Sequence, residues 1–196
     1  MRTKVLMLFL AAIVLLSSQA TYGFRFSVGG FGGFNFPVAQ DDAKMGPAFG
    51  VRARIPLVPF VAAEPNFTYL KNGDAEILID EDNWNTTMKR DAGKFTNFGL
   101  DVVFGKVMGH TGLNVFGIAG LSASKYARDV SSVPDLNKIA YWGGLGLEYA
   151  INEQISLDIR GKLMVFAYDD GKGTGSRKNG LLTFGVNYYM GQEVIK

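Results

Sequence analysis

The run Ile155–Tyr168, ISLDIRGKLMVFAY, alternates without interruption. Ile155, Leu157, Ile159, Gly161, Leu163, Val165 and Ala167 fall on one side of an extended chain, and Ser156, Asp158, Arg160, Lys162, Met164, Phe166 and Tyr168 on the other. One side is wholly apolar; the other carries three charges. Period two makes this a strand, but leaves the solvent on each side open, since a soluble sheet also buries an apolar face and wets its charges. Length narrows the choice: ordinary strands have about 5–6 residues, whereas a strand tilted across a bilayer needs about 9–11. This run is long enough to cross.

Export is written at the N-terminus. Arg2 and Lys4 precede an unbroken apolar run from Val5 to Leu16, and Ser18-Gln19-Ala20 supplies small residues for cleavage, with Gly23 as a second position. That run is too short to cross about 30 Å of hydrocarbon as a helix. Met1–Ala20 therefore reads as a signal peptide, and residues 21–196 as one folded domain. No later segment has the roughly 18 consecutive apolar residues of a membrane helix, so only strands can span. Without cysteine there is no disulfide framework and no thiolate metal site. Loss of Arg2 and Lys4 takes 20 basic and 18 acidic residues to 18 of each, a balance that does not attract nucleic acid.

Further alternating runs precede and follow the first. Phe24–Phe36 places Phe24, Phe26, Val28, Phe34 and Phe36 opposite Arg25, Ser27, Phe31 and Asn35; Pro47, Phe49, Val51, Ala53 and Ile55 then oppose Arg52 and Arg54. Pro56-Leu57-Val58-Pro59 reads as a connector, because two prolines break a ladder. A third strand runs to Leu70 with Glu64, Asn66 and Thr68 on its polar face, and Pro65 within it predicts a bulge. Lys71–Lys94 is the longest polar insertion, with Ala75–Ile79 able to extend the sheet. Thr96, Phe98, Leu100, Val102 and Phe104 make a fourth apolar face, and Gly105–Gly112 a turn. Leu113–Tyr126 is extended, but its pattern does not say which face is which.

Arg128–Asn137 is a polar loop, after which Ile139, Tyr141, Gly143, Leu145, Leu147 and Tyr149 alternate with Lys138, Ala140, Trp142, Gly144, Gly146 and Glu148. Pairing this strand with Ile155–Tyr168 on a common apolar face needs an odd loop, for which Ile151-Asn152-Glu153 is chosen. The next longer odd loop would set Glu148 against Asp158, like charges face to face. Asp169–Arg177 reads as a loop, and Gly180, Leu182, Phe184, Val186, Tyr188 and Met190 as the last apolar face.

Connections after the odd-numbered strands are long and polar, and those after the even-numbered ones short, which is the asymmetry of an up-and-down membrane barrel. An all-β, eight-stranded antiparallel transmembrane barrel follows. Aromatics end the apolar faces at two levels: Phe24, Phe104, Tyr149 and Tyr188 at one, and Phe34, Phe49, Phe67, Phe98 and Tyr141 at the other. Inside, Arg25, Arg52, Arg54, Lys138, Arg160 and Lys162 would meet Glu64, Asp101, Glu148 and Asp158, with Trp142 and Phe31 beside them. An eight-stranded lumen is only wide enough for side chains, so this network predicts a plug; Gly33, Gly50, Gly99, Gly144, Gly146 and Gly185 would make room for it.

The mature sequence resembles the small bacterial outer-membrane β-barrels, the superfamily of OmpA- and OmpX-type domains. Ala63-Glu64-Pro65-Asn66-Phe67-Thr68-Tyr69-Leu70-Lys71-Asn72-Gly73 is similar to a third-strand signature of that superfamily, an inward glutamate followed by a tyrosine and a Lys-Gly turn. Thr183-Phe184-Gly185-Val186-Asn187-Tyr188-Tyr189-Met190 resembles its C-terminal assembly signal, with Met190 in place of the final aromatic and Gly191–Lys196 beyond it. The resemblance implies a monomer in the bacterial outer membrane that meets lipid, lipopolysaccharide, the barrel-assembly machinery and, at its loops, an extracellular partner.

Other chemistry finds little footing. His110, the single histidine, lies in the turn at the end opposite the rim where the superfamily's histidine-using enzymes hold theirs. The glycine groups at Gly29–Gly33 and Gly171–Gly175 do not open helices, Asp80-Glu81-Asp82 and Asp169-Asp170 complete no calcium loop, and Asn66-Phe67-Thr68 and Asn85-Thr86-Thr87 match a glycosylation pattern of no use in a bacterium. No catalytic residue, metal or cofactor is assigned. The expected function is that of a structural or surface-interaction protein, in adhesion or envelope integrity, through its external loops. A narrow channel for small solutes and a soluble lipocalin-like binding barrel are the alternatives, and a lipid-modifying enzyme stands behind them.

Overall fold

The computed structural model describes residues 25–38, 43–78, 87–90, 92–105, 112–127, 136–169 and 174–191. Their long alternating runs form β1 (Phe26–Val38), β3 (Gly46–Val58), β4 (Val61–Lys71), β7 (Lys94–Gly105), β8 (Gly112–Ala127), β9 (Leu136–Ala150), β10 (Ile155–Asp169) and β11 (Thr174–Met190). These eight close into an antiparallel barrel, each strand paired with its chain neighbour and β1 with β11. Three shorter strands, β2 (Ala43–Lys44), β5 (Gly73–Leu78) and β6 (Thr87–Arg90), make a separate sheet at the end opposite the chain termini. The strands β5 and β6 of the Lys71–Lys94 insertion thus join β2, from the preceding long connection, in a sheet separate from the barrel wall. The signal peptide, His110, Asp80-Glu81-Asp82 and Asn85-Thr86 lie outside the described residues.

The wall has the reverse polarity of a soluble barrel. Leu145, Leu113 and Phe98 are 65–68% exposed on the outside, while Arg54, Glu64 and Arg160 are 1–2% exposed within. A lipocalin-like fold would place the apolar set inside, so the arrangement is that of a barrel dissolved in hydrocarbon. The aromatics Phe34, Phe49, Phe98 and Tyr141 toward one end, and Phe104, Tyr149 and Tyr188 toward the other, all face outward.

Several connections differ from the sequence expectation. The strand β3 runs through Pro56 to Val58, with a register shift between those two residues, and only Pro59 and Phe60 form the turn. Pro56 keeps its place opposite Ala62 and is tolerated at the strand's end, where the shift follows it. Pro65 makes no bulge: Val61–Lys71 keeps one register against β7, and the pairing with β3 holds the same register on both sides of a lapse at Ala53 and Arg54. The last long connection is shorter than expected, since Tyr168 pairs with Gly175 and Asp169 with Thr174. In β8, Asn114, Phe116, Ile118, Ser122, Ser124 and Tyr126 point inward and Leu113, Val115 and Leu121 outward. Gly105 and Gly112, at φ of 143° and 119°, end the flanking strands in a conformation that favours glycine.

Leu163 lies mid-strand on the outer face, opposite Gly143 and Gly180. Leu163→Arg should lower folding stability by about 2–4 kcal/mol in urea titrations of lipid-embedded protein, and by clearly less for an arginine at the exposed turn residue Ile151. Equal costs at the two positions would place Leu163 outside the hydrocarbon.

Candidate functional site

The inward residues of six strands converge on one cluster. Glu64 of β4 accepts two bonds from Arg160 of β10, the longer being Nη2 to Oε2 at 3.1 Å, and a third from Arg54 Nε of β3 at 3.0 Å. Arg54 Nη1 continues to Glu148 Oε2 at 2.6 Å and to the Tyr189 hydroxyl at 3.2 Å. Tyr189 in turn donates to Glu148 Oε1 at 2.5 Å, and Ser156 donates to the same oxygen. Asp158 accepts from Arg52, from Arg160 Nη2 at 3.3 Å and from Asn187 Nδ2 at 2.7 Å. Lys162 Nζ bonds Asp101 Oδ2 at 2.5 Å. Four cations thus meet four anions, and the cluster is electrically balanced.

Two expected members sit elsewhere. Lys138 has the inward parity but is exposed at the barrel mouth, where the lumen opens around it. Arg25 is buried, donates to the Glu153 carbonyl and stacks 4.9 Å over Tyr189.

The β9–β10 hairpin overturns the loop choice. Ala150 pairs with Ser156, so Glu148 does stand directly opposite Asp158. Cross-strand repulsion is offset by the surroundings: Arg54 engages Glu148, Arg52 engages Asp158, and Asn187 donates to both carboxylates, at 3.4 and 2.7 Å. Paired with cations, adjacent carboxylates become acceptors around which arginines gather. The turn itself is fixed by Asn152 Oδ1, which accepts from Gln154 N and Ile155 N, both at 2.8 Å.

Glycines make room in two ways. A Cβ on Gly185 would lie 2.3 Å from Arg52 Nη2, and one on Gly144 would lie 3.0 Å from Lys162 Cγ. Others admit rings: a Cβ would lie 2.5 Å from Phe31 at Gly50 and 2.3 Å from Phe116 at Gly146. Those rings carry guanidinium groups, with Arg52 5.1 Å over Phe31 and both Arg54 and Arg160 5.1 Å from Phe116. Gly33 instead lies against Leu182 backbone and Gly99 against the Asn66 amide.

Sequence reasoning missed that the lumen is layered. Beside the ion pairs, on the wall made by β4, β7 and β8, Ala62, Val103, Phe116 and Ile118 form a buried apolar cluster, with Phe116 under the guanidinium groups. On the outer side Leu70, Phe95, Tyr126, Trp142, Met164, Phe166 and Leu181 form a larger one, in which Phe95 lies 4.7 Å from Tyr126 and 5.4 Å from Phe166. Beyond it Asn35, Asn72 and Asn179 bond to one another, Asn179 Nδ2 reaching Asn35 Oδ1 at 2.8 Å and Asn72 Oδ1 at 3.0 Å. The signal was present as aromatic and aliphatic residues at inward positions, such as Met164 and Phe166. At the level of the ion pairs, Phe31, Arg52, Glu64, Asp101, Arg160 and Lys162 line a cavity of about 10 Å³.

Comparison with known proteins agrees with this architecture. The family model described as "Outer membrane protein beta-barrel domain" matches residues 5–189. Among solved structures, Neisserial surface protein A superposes with a TM-score of 0.65 at 14% identity, over 83% of this chain and 96% of that one. OprG of Pseudomonas aeruginosa gives 0.55 at 11% identity over 86% and 97%, and the N-terminal barrel domain of OprF from the same organism 0.54 at 16% over 86% and 99%. No curated protein sequence matches. The fold is thus that of a small outer-membrane β-barrel. The chain belongs to the outer-membrane protein β-barrel domain family.

Glu64 holds two arginines, so its loss would leave Arg54 and Arg160 short of an anion in a dry site. Glu64→Ala should destabilise the barrel by about 3–5 kcal/mol in equilibrium unfolding, with Glu64→Gln intermediate. A cost near zero would mean that water solvates the network.

Proposed function

We propose that this protein is a monomeric, non-conducting barrel that serves the outer membrane as a surface-interaction or envelope-integrity protein. The observation that carries this reading is the succession along the lumen of a buried ionic network and, outward of it, an apolar cluster drawn from most of the strands, with a residual cavity at the ionic level that has room for about one water. Ions crossing such a path would shed their hydration at the apolar layer and break the charge pairs beneath it. The barrel then acts as an anchor, and interaction falls to its outer end, where β2, β5 and β6 add a sheet beyond the wall. In this reading Met1–Ala20 is removed on export, the last strand is presented to the assembly machinery, an extracellular partner meets the loops, and neither catalysis nor a cofactor takes part.

The purified wild-type barrel should give no steady conductance in a planar bilayer. Phe95→Ala with Phe166→Ala opens the larger apolar layer and should produce intermittent openings while leaving the ion pairs in place. Stable single-channel steps from the wild type would reject the anchor in favour of a narrow channel.

A further inference from the structure

Three carboxamides cross the outer end of the lumen. Asn35 of β1, Asn72 at the junction of β4 and β5, and Asn179 of β11 are all fully buried. Asn72 Oδ1 accepts from Asn35 and, at 3.0 Å, from Asn179 Nδ2, which also reaches Asn35 Oδ1 at 2.8 Å. To meet β1 and β11 from β4, Asn72 passes over the start of β3, where the inward residues are the small Gly46 and Ala48. A Cβ on Gly46 would lie 2.0 Å from the Lys71 carbonyl oxygen, so the close approach of the two strands there needs glycine.

Asn72 also holds the chain where it returns to the wall. Its N–H donates to the Gly93 carbonyl at 3.0 Å and its Nδ2 to the Ala92 carbonyl at 3.1 Å, and the Tyr126 hydroxyl of β8 donates to the same Ala92 oxygen at 3.0 Å. Gly93 has a φ of 81°, and a Cβ on it would lie 2.6 Å from the Tyr126 ring. One residue therefore ties β1 and β11 to the lead-in of β7, just outward of the apolar cluster that holds Leu70, Phe95 and Tyr126. The same residue stands between the last of β4 and the first of β5, where the chain leaves the barrel for the outer sheet.

The bonds of this crossing join neutral groups, unlike those of the ionic network below. A neutral amide bond exchanged for water changes the free energy little, whereas a charge pair broken in a dry site leaves both ions unmatched. The crossing can thus open while the ion pairs stay closed.

We propose that Asn72 is a latch. Fastened, it closes the outer mouth over the apolar cluster and fixes the outer sheet against the barrel; released, it lets the sheet turn away and opens the mouth as far as that cluster. A partner that grips the sheet shifts the latch by preferring one of the two arrangements. This inference goes beyond the anchor reading and does not depend on it, because conductance reports the deeper layers and the measurements below report the mouth.

The chain has no cysteine, so introduced thiols report alone. Ala48→Cys places one beneath the crossing, at a buried position opposite Leu70. In the full mature barrel in nanodiscs, an impermeant thiol reagent should label it about tenfold faster once Asn72→Ala is added. Glu64→Gln weakens the ionic network without touching the crossing, and should leave the labelling rate unchanged. Spin labels at Asp74→Cys on β5 and Lys138→Cys at the mouth, both exposed, report the position of the sheet: the distance distribution should be narrow in the otherwise wild-type chain and broad after Asn72→Ala. Heat-modifiable gel mobility reports folding, and if Asn72→Ala does not fold, Asn35→Ser and Asn179→Ser singly should each give a smaller rise in labelling. Unchanged labelling in the folded variants overturns the latch. Equal acceleration by Asn72→Ala and Glu64→Gln would mean general loosening and overturns it as well. Faster labelling with an unbroadened distance overturns the coupling of the sheet to the mouth.

Discussion

The structure depends first on closing its own backbone hydrogen bonds. In hydrocarbon no water is available to an unpaired peptide group, and each costs several kcal/mol, so a spanning sheet has no tolerable edge. The β1–β11 ladder removes that edge with a continuous register from Phe26↔Met190 to Val38↔Lys178. Proline is accommodated within the same constraint. Pro56 sits at a register shift beside the turn that ends β3, and Pro65 where the β3–β4 pairing lapses but the β4–β7 pairing does not.

Closure with eight strands leaves a lumen that side chains must fill, and this lumen is filled by ions that must satisfy one another. Arginine suits that setting, because its planar fork engages Glu64 through two nitrogens from Arg160 while Arg54 links Glu64 to Glu148. The rings beneath the guanidinium groups and the bare glycines beside them belong to the same packing solution. Without the space at Gly185 and Gly146, Arg52 and Phe116 could not lie where they do.

Function divides by height along the barrel. The lumen holds a buried ionic network with an apolar cluster outward of it, while the outer end adds a separate sheet beyond the wall.

Much of this was legible in the chain itself. Strict period two in Ile155–Tyr168, Phe24–Phe36 and Gly180–Met190 assigned faces residue by residue, because a pleated strand turns successive side chains to opposite sides. The excess length of those runs and the lack of a long apolar helix pointed to a barrel in a membrane. Tertiary structure alone decided the rest. The faces of Leu113–Tyr126 were unreadable because the lumen admits Phe116 and Ile118 beside charge, which erases the polarity contrast on which alternation relies. Likewise the Glu148–Asp158 register was judged by two strands, whereas its energy is set by Arg52, Arg54 and Asn187 from two others. Local periodicity is a property of one strand and can be read from it; a buried charge takes its energy from every strand that reaches it, and those meet only when the barrel closes.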